Sequence, residues 1–92
     1  MNTIKESEIV FGEPVKGDIS NIYQDILYNN NVIGAIRHYH SGLLQPVKLS
    51  YQRLVHESEI NDINYDHVTQ SEDDGYKFVI WDNLSDFLKN LK

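Results

Sequence analysis

Between Leu54 and Tyr76 the chain holds seven carboxylates and no Lys or Arg: Glu57, Glu59, Asp62, Asp66, Glu72, Asp73 and Asp74. The other 69 residues carry seven acids and eight bases, so the segment stands at −7, the remainder at +1 and the chain at −6. The chemistry open to such a run is electrostatic. It holds a loop in water, or it offers a negative face to something basic and speeds the encounter. If residues 58–68 are helical, Ser58 can cap, Ile60, Ile63 and His67 face inward, and Glu59, Asp62 and Asp66 form a stripe. If they are extended, Glu57 and Glu59 share a face ~6.6 Å apart. Tyr65, amid these acids, is a candidate aromatic anchor for a partner. Glu72-Asp73-Asp74 reads as a turn.

Other constellations are weaker. His38 and His40 would share one face of a strand, as metal ligands can, but His56 falls near the far end of the hairpin and completes no site. These imidazoles are read as exposed or half-buried side chains. Asp62, Asn64 and Asp66 copy the first half of a calcium-binding EF-hand loop. The second half fails, because His67 stands where a sharp turn needs Gly and Asp73 where a bidentate Glu belongs. The five glycines are too dispersed for a phosphate loop, and no serine sits in a nucleophile-elbow context. No metal, cofactor or catalytic residue is assigned, and a non-enzymatic role is expected.

Ninety-two residues make one domain, residues 1–92, long enough to bury a core without disulfide or metal. Cysteine is absent, which removes disulfides, zinc–thiolate sites and thiol nucleophiles together. No apolar run approaches the ~20 residues that span a bilayer, and the charged start has no signal-peptide core, so a cytoplasmic place is expected. The bases are scattered singly, with no basic patch visible in sequence. Direct nucleic-acid binding and an anionic membrane surface are therefore not expected. Asn, Ile, Lys and Tyr fill 31 of 92 positions, which points to an AT-rich genome such as that of a phage or mobile element.

The elements that must position the acids are read from periodicity. Glu8–Phe11 is a first or edge strand, ended by Gly12 and Pro14. Ile19, Ile22, Tyr23, Ile26 and Leu27 form one helical stripe, with Asp18 as N-cap and Asn29-Asn30-Asn31 as the stop. Residues 32–40 and 47–56 are read as a hairpin of two strands joined through Gly42 and Pro46, with a helical pair as the alternative. Tyr76–Trp81 is a strand introduced by Asp74-Gly75. Leu84, Phe87, Leu88 and Leu91 mark a C-terminal helix that Asn83 caps, with Asp86 in the capping-box position. The predicted architecture is a small α+β domain in the order β-α-β-β-β-α, with an antiparallel sheet of about four strands and two helices on one face.

In length, charge, AT-rich composition and absence of cysteine the chain is similar in kind to two groups. One is the small acidic phage proteins, anti-restriction proteins among them, that inhibit host defence by mimicking DNA. The other is the bacterial immunity proteins that plug a toxin's basic active site. No motif residue carries the likeness, so it transfers no functional residue. It implies a cytoplasmic inhibitor whose acidic face blocks a basic protein partner: a nuclease, a restriction or CRISPR component, a histone-like protein or a toxin. Seven phosphates occupy only ~12 Å of duplex axis, so imitating a useful length of DNA would require a homodimer. Two alternatives stand beside this: a solvated acidic loop, and a small homodimeric structural or assembly protein with incidental acidity.

Overall fold

The computed structural model describes residues 4–18, 21–39 and 48–91. Among them seven antiparallel strands form one sheet, joined by a single α-helix and two 3-10 helices, Glu6–Glu8 and Glu57–Asp62. The strands are β1 (Ile9–Phe11), β2 (Val15–Asp18), β3 (Asn21–Tyr28), β4 (Asn31–Tyr39), β5 (Lys48–His56), β6 (His67–Gln70) and β7 (Tyr76–Trp81). The helix α1 spans Leu84–Lys89. The sheet runs β1-β3-β4-β5-β7-β6, and β2 lies beside β1 along the same edge of β3. The expected α+β domain with two helices is thereby overturned: this is a mostly antiparallel β-sheet with one short helix.

The segment expected to be the first helix is a strand. Asn21–Tyr28 pairs with β4 along one side and with β1 and β2 along the other. Its β-branched and aromatic residues suit a pleated surface. The polar Gln24, between Ile22 and Ile26 on the inward face, hides the period-two pattern in the sequence. Gln24 is satisfied there, donating to the Gly12 carbonyl at 2.9 Å and accepting from His38 Nε2 at 2.7 Å. Asn29 and Asn30 do adopt left-handed backbone, at φ 50° and 66°. The pair closes the two-residue β3–β4 hairpin rather than ending a helix. Asp18 is the last residue of β2, not a helix cap.

Other expectations hold. β1 occupies the first apolar run, β4 and β5 form the hairpin in register from Ala35 opposite Gln52 to Tyr39 opposite Lys48, and β7 is the aromatic strand. Gly42, Pro46 and His40 lie outside the described residues. Asn83 caps α1 by accepting from Asp86 N at 2.9 Å and donating to the Asp86 carboxylate at 2.8 Å.

One face of the sheet carries the core. Cross-strand neighbours share a face, so Ile36, Tyr51 and Trp81 form one inward row and Arg53 and Val79 the next. Ile26 and Val55 extend the patch, and Phe87 and Leu88 of α1 cover it, with Ile60 and Ile63 packed at its margin. A six-residue helix has no stability of its own, since isolated helices below ~12–15 residues are marginal in water. It is held by Phe87, fully buried and edge-on to Trp81 at 5.5 Å between ring centroids. Gly34 makes the seat. A Cβ at this position would lie 2.5 Å from Phe87 Cζ and 2.6 Å from the Gln52 carbonyl oxygen. Gly34→Ala is therefore expected to destabilise the domain by ~1–3 kcal/mol, the usual cost of overpacking a core, read as a lower urea midpoint. Unchanged stability would disprove the close seat.

Candidate functional site

β5 and β6 run parallel to each other with β7 between them, so the chain must cross β7 to connect them. That crossing is the acidic segment. Glu57, Glu59 and Asp62 lie exposed on the 3-10 helix, which packs over β5 and β7 through Ile60 and Ile63. Asp66 follows, just before β6. Glu72, Asp73 and Asp74 occupy the β6–β7 turn, completed by Gly75 at φ 81°. The Glu57 amide donates to the Gly75 carbonyl at 2.9 Å, which brings the start of the crossing against the turn. Two groups of carboxylates thus flank β6, Asp66 before it and Glu72 to Asp74 after it, while Glu57, Glu59 and Asp62 stand on the 3-10 helix over β5 and β7, with Glu59 and Asp62 beside Arg53. From residue 66 to residue 72 the extended chain covers roughly 20 Å.

The geometry departs from both sequence expectations. The 3-10 helix ends at Asp62 and Asp66 lies beyond it, so Glu59, Asp62 and Asp66 form no single helical stripe. His67 belongs to exposed β6 rather than to an inward helical face. Tyr65 is 37% exposed and stands at the rim of an open cleft of about 340 Å³ shared with Asp66, Trp81 and Lys89.

Among the described residues the one contact at ion-pair distance is His67 Nε2 with Asp82 at 3.4 Å, charged only when the imidazole is protonated. None of the seven candidate carboxylates takes part in one. The Asp66 carboxylate accepts from the Asp82 amide at 2.8 Å, which pins the chain as it enters β6. Arg53 borders the 3-10 helix, lining a small cleft with Glu59 and Asp62. It is half-buried, and burial lowers its pKa while nearby Glu59 pulls the other way. Its Nη2 donates to the Asn90 carbonyl at 2.7 Å, and its guanidinium lies 5.9 Å from the Trp81 ring centroid. Arg53 therefore serves as a tie between α1 and the sheet.

The remaining constellations dissolve into structural roles. His38 hydrogen-bonds Gln24, and His56 accepts from the Ser58 amide at 3.2 Å while stacking edge-on to Tyr76. Asn64, the middle residue of the half EF-hand, accepts from Trp81 Nε1 through its carbonyl, and its amide donates to Asn90. Among the described residues no three His, Asp or Glu side chains are grouped to hold a metal. On the uncovered face, Arg37, Tyr39, Lys48, His67 and Asp82 border a shallow cleft of about 420 Å³ above Ser50 and Ile80. Sequence reasoning missed it because Arg37 and Lys48 lie on different strands and meet only through the β4–β5 register. No described helix is long and apolar enough to cross a membrane.

No family model, curated protein or solved structure matches this chain.

Tyr51 gives this layer a pH dependence. Burial, with Glu6 adding to it, pushes the phenol above its ordinary value of 10.0. The folded state holds the proton more tightly than the unfolded state. The associated stability is complete below pH ~10 and is lost as pH rises through the folded pKa. Tyr51→Phe should lose less stability than the parent between pH 9 and pH 11 (about one unit either side of the free phenol). Thermal melts of both proteins across that range check this, and equal losses would refute it.

Proposed function

We propose that the chain is a non-enzymatic inhibitor that docks its acidic flank on a basic, nucleic-acid-binding surface of another protein and so blocks it. The observation that carries the reading is the crossing over β7: it carries Glu57, Glu59 and Asp62 over β5 and β7 and leads to Asp66 and Glu72 to Asp74 at the two ends of the edge strand β6, and among the described residues none of the seven is in an ion pair. Carboxylates without an ion-pair partner in the fold steer the encounter with a basic partner. Tyr65 at the rim supplies an aromatic surface beside it. Roughly 20 Å of duplex would carry ~12 charges, more than this flank presents. It suits a local plug in a DNA-binding groove better than a long imitation of DNA. Suitable partners are a nuclease, a restriction or CRISPR subunit, a histone-like protein or a toxin nuclease neutralised by its immunity protein.

Replacing Glu57, Glu72, Asp73 and Asp74 together by Lys alters exposed positions without touching the core. Binding of the immobilised chain to purified DNA-binding proteins should be strong at about 50 mM salt, weak at about 500 mM, where screening is short-ranged, and abolished by the replacements. Partners that are not basic, or binding indifferent to both salt and the replacements, would remove this reading.

A specific observation favours a second reading, self-association. Val10, Leu27 and Val32 form one cross-strand row on the uncovered face. Val10 is 66% and Val32 60% exposed. A homodimer that buries this row would be dispersed by Val10→Lys with Val32→Lys, and sedimentation of parent and variant decides it. Parent protein that sediments as a monomer at high concentration excludes the dimer.

A further inference from the structure

The two edges of the sheet are built differently. Along β3 the edge is broken: Gly12 and Pro14 interrupt it, the register shifts between Lys16 and Asp18, and Lys16 adds charge. These devices stop a sheet edge from pairing with another chain. At the opposite edge β6 carries none of them. His67-Val68-Thr69-Gln70 has no Pro, no Lys and no register shift against β7, and all four residues are exposed. No described strand lies on its outer side. Alternate residues of such a strand turn backbone N–H and C=O groups outward, a template for one more strand.

Charge decides what fits the template. An antiparallel copy of β6 would set Asp66 of each chain against the Glu72-Asp73-Asp74 turn of the other, and like charges so placed oppose the pairing. A strand with cations at both ends meets the opposite situation, with carboxylates waiting beyond each end of His67–Gln70.

We propose that β6 is a docking strand for an extended, cationic segment of the partner protein, which adds to the sheet through backbone hydrogen bonds and places Lys or Arg side chains against Asp66 at one end and Glu72 to Asp74 at the other. This inference rests on the reading of the acidic flank as a docking surface and names the form of the partner. About four residues separate the two cationic ends, a spacing of roughly 13 Å in extended chain.

The probe is the synthetic peptide Lys-Lys-Val-Thr-Val-Thr-Lys-Lys, titrated into isotope-labelled protein. Shifts are expected at residues 67–70 and slowed hydrogen exchange at those of their amides that face outward, and binding should weaken with salt. Two further peptides carry N-methyl groups on the Val or on the Thr amides, with charge unchanged. At least one should bind about tenfold or more weakly, as removal of two backbone hydrogen bonds requires. If both bind as well as the parent peptide, the contact is charge alone; strand docking is overturned and the acidic-flank reading survives. If no peptide binds, both fall. A peptide with Glu in place of Lys that binds equally well overturns the cationic partner. Protection of residues 67–70 that grows with protein concentration alone assigns the edge to a second copy and overturns the proposal.

Discussion

The packing of Phe87 against Gly34 is the contact on which the covered side of this protein depends. One face of a broad antiparallel sheet must be hidden from water, and among the described residues six residues of α-helix serve the task. The helix therefore contributes through placement rather than length. Phe87 reaches the sheet because Gly34 presents no side chain at the crossing point, and Leu88 is buried in the same core. Trp81 meets the Phe87 ring edge-on from the last strand. Once the helix is seated, Asn90 at its end links three parts of the chain: it accepts from Arg53 through its carbonyl and from the Asn64 amide through Oδ1, and it donates to the Asp86 carbonyl. The end of the acidic crossing is thereby fixed to the same helix that closes the core.

That fixation gives the carboxylates a place. A run of charge in a loose connection is a solvated tether, and its charges average over many positions. Here Ile60 and Ile63 anchor the crossing on the apolar side. The Glu57 amide joins it to the β6–β7 turn, and the Asp66 carboxylate joins it to Asp82. The acidity belongs to defined backbone positions, over β5 and β7 and at the two ends of β6, which is the condition for steering a partner toward one orientation. The arrangement also explains why Arg53 does not neutralise the segment. Its guanidinium is committed inward, to Asn90 and to the face of Trp81, so Glu59 feels its field without pairing with it.

How much of this could be read from residues alone varies with the physics behind each signal. Tyr76–Trp81 and the helix capped by Asn83 were legible because apolar pattern, β-branching and capping chemistry agreed there. The hairpin of β4 and β5 was readable, with Gly42 and Pro46 between its strands, although its apolar spacing left a helical pair as the alternative. The strand Asn21–Tyr28 was not. Its apolar residues fit a helical stripe as well as a pleat, and Gln24 on the inward face obscured alternation. The stop signal at Asn29 and Asn30 was sound as local chemistry, since both residues take left-handed backbone. That chemistry serves a helix end and a two-residue hairpin equally, and pairing with distant strands decided between them. β6 was invisible because Val68 and Thr69 alone carry strand preference there, too short a run to mark a strand. It exists because β7 offers it an edge. The acidic stretch was legible as charge, and its layout around that edge was set by topology.

The outer side of β6, beside which no described strand lies, also gives the charge pattern a second meaning. An unblunted strand at the margin of a sheet invites pairing with whatever chain arrives first, including its own copy. Lys or Pro within β6 would remove that hazard, and with it any use of the edge. Carboxylates just outside the strand act differently. They leave the backbone groups of His67–Gln70 open while making the approach of an identical, equally acidic edge unfavourable. The selection operates before any hydrogen bond forms, through the sign of the incoming charge, and its range is set by the Debye length, ~8 Å at physiological ionic strength. Asp66 and the 72–74 turn lie farther apart than that, so each screens its own end of the strand. A partner must satisfy both ends to gain the full attraction. An edge guarded in this way discriminates by the spacing of charge as well as by its sign.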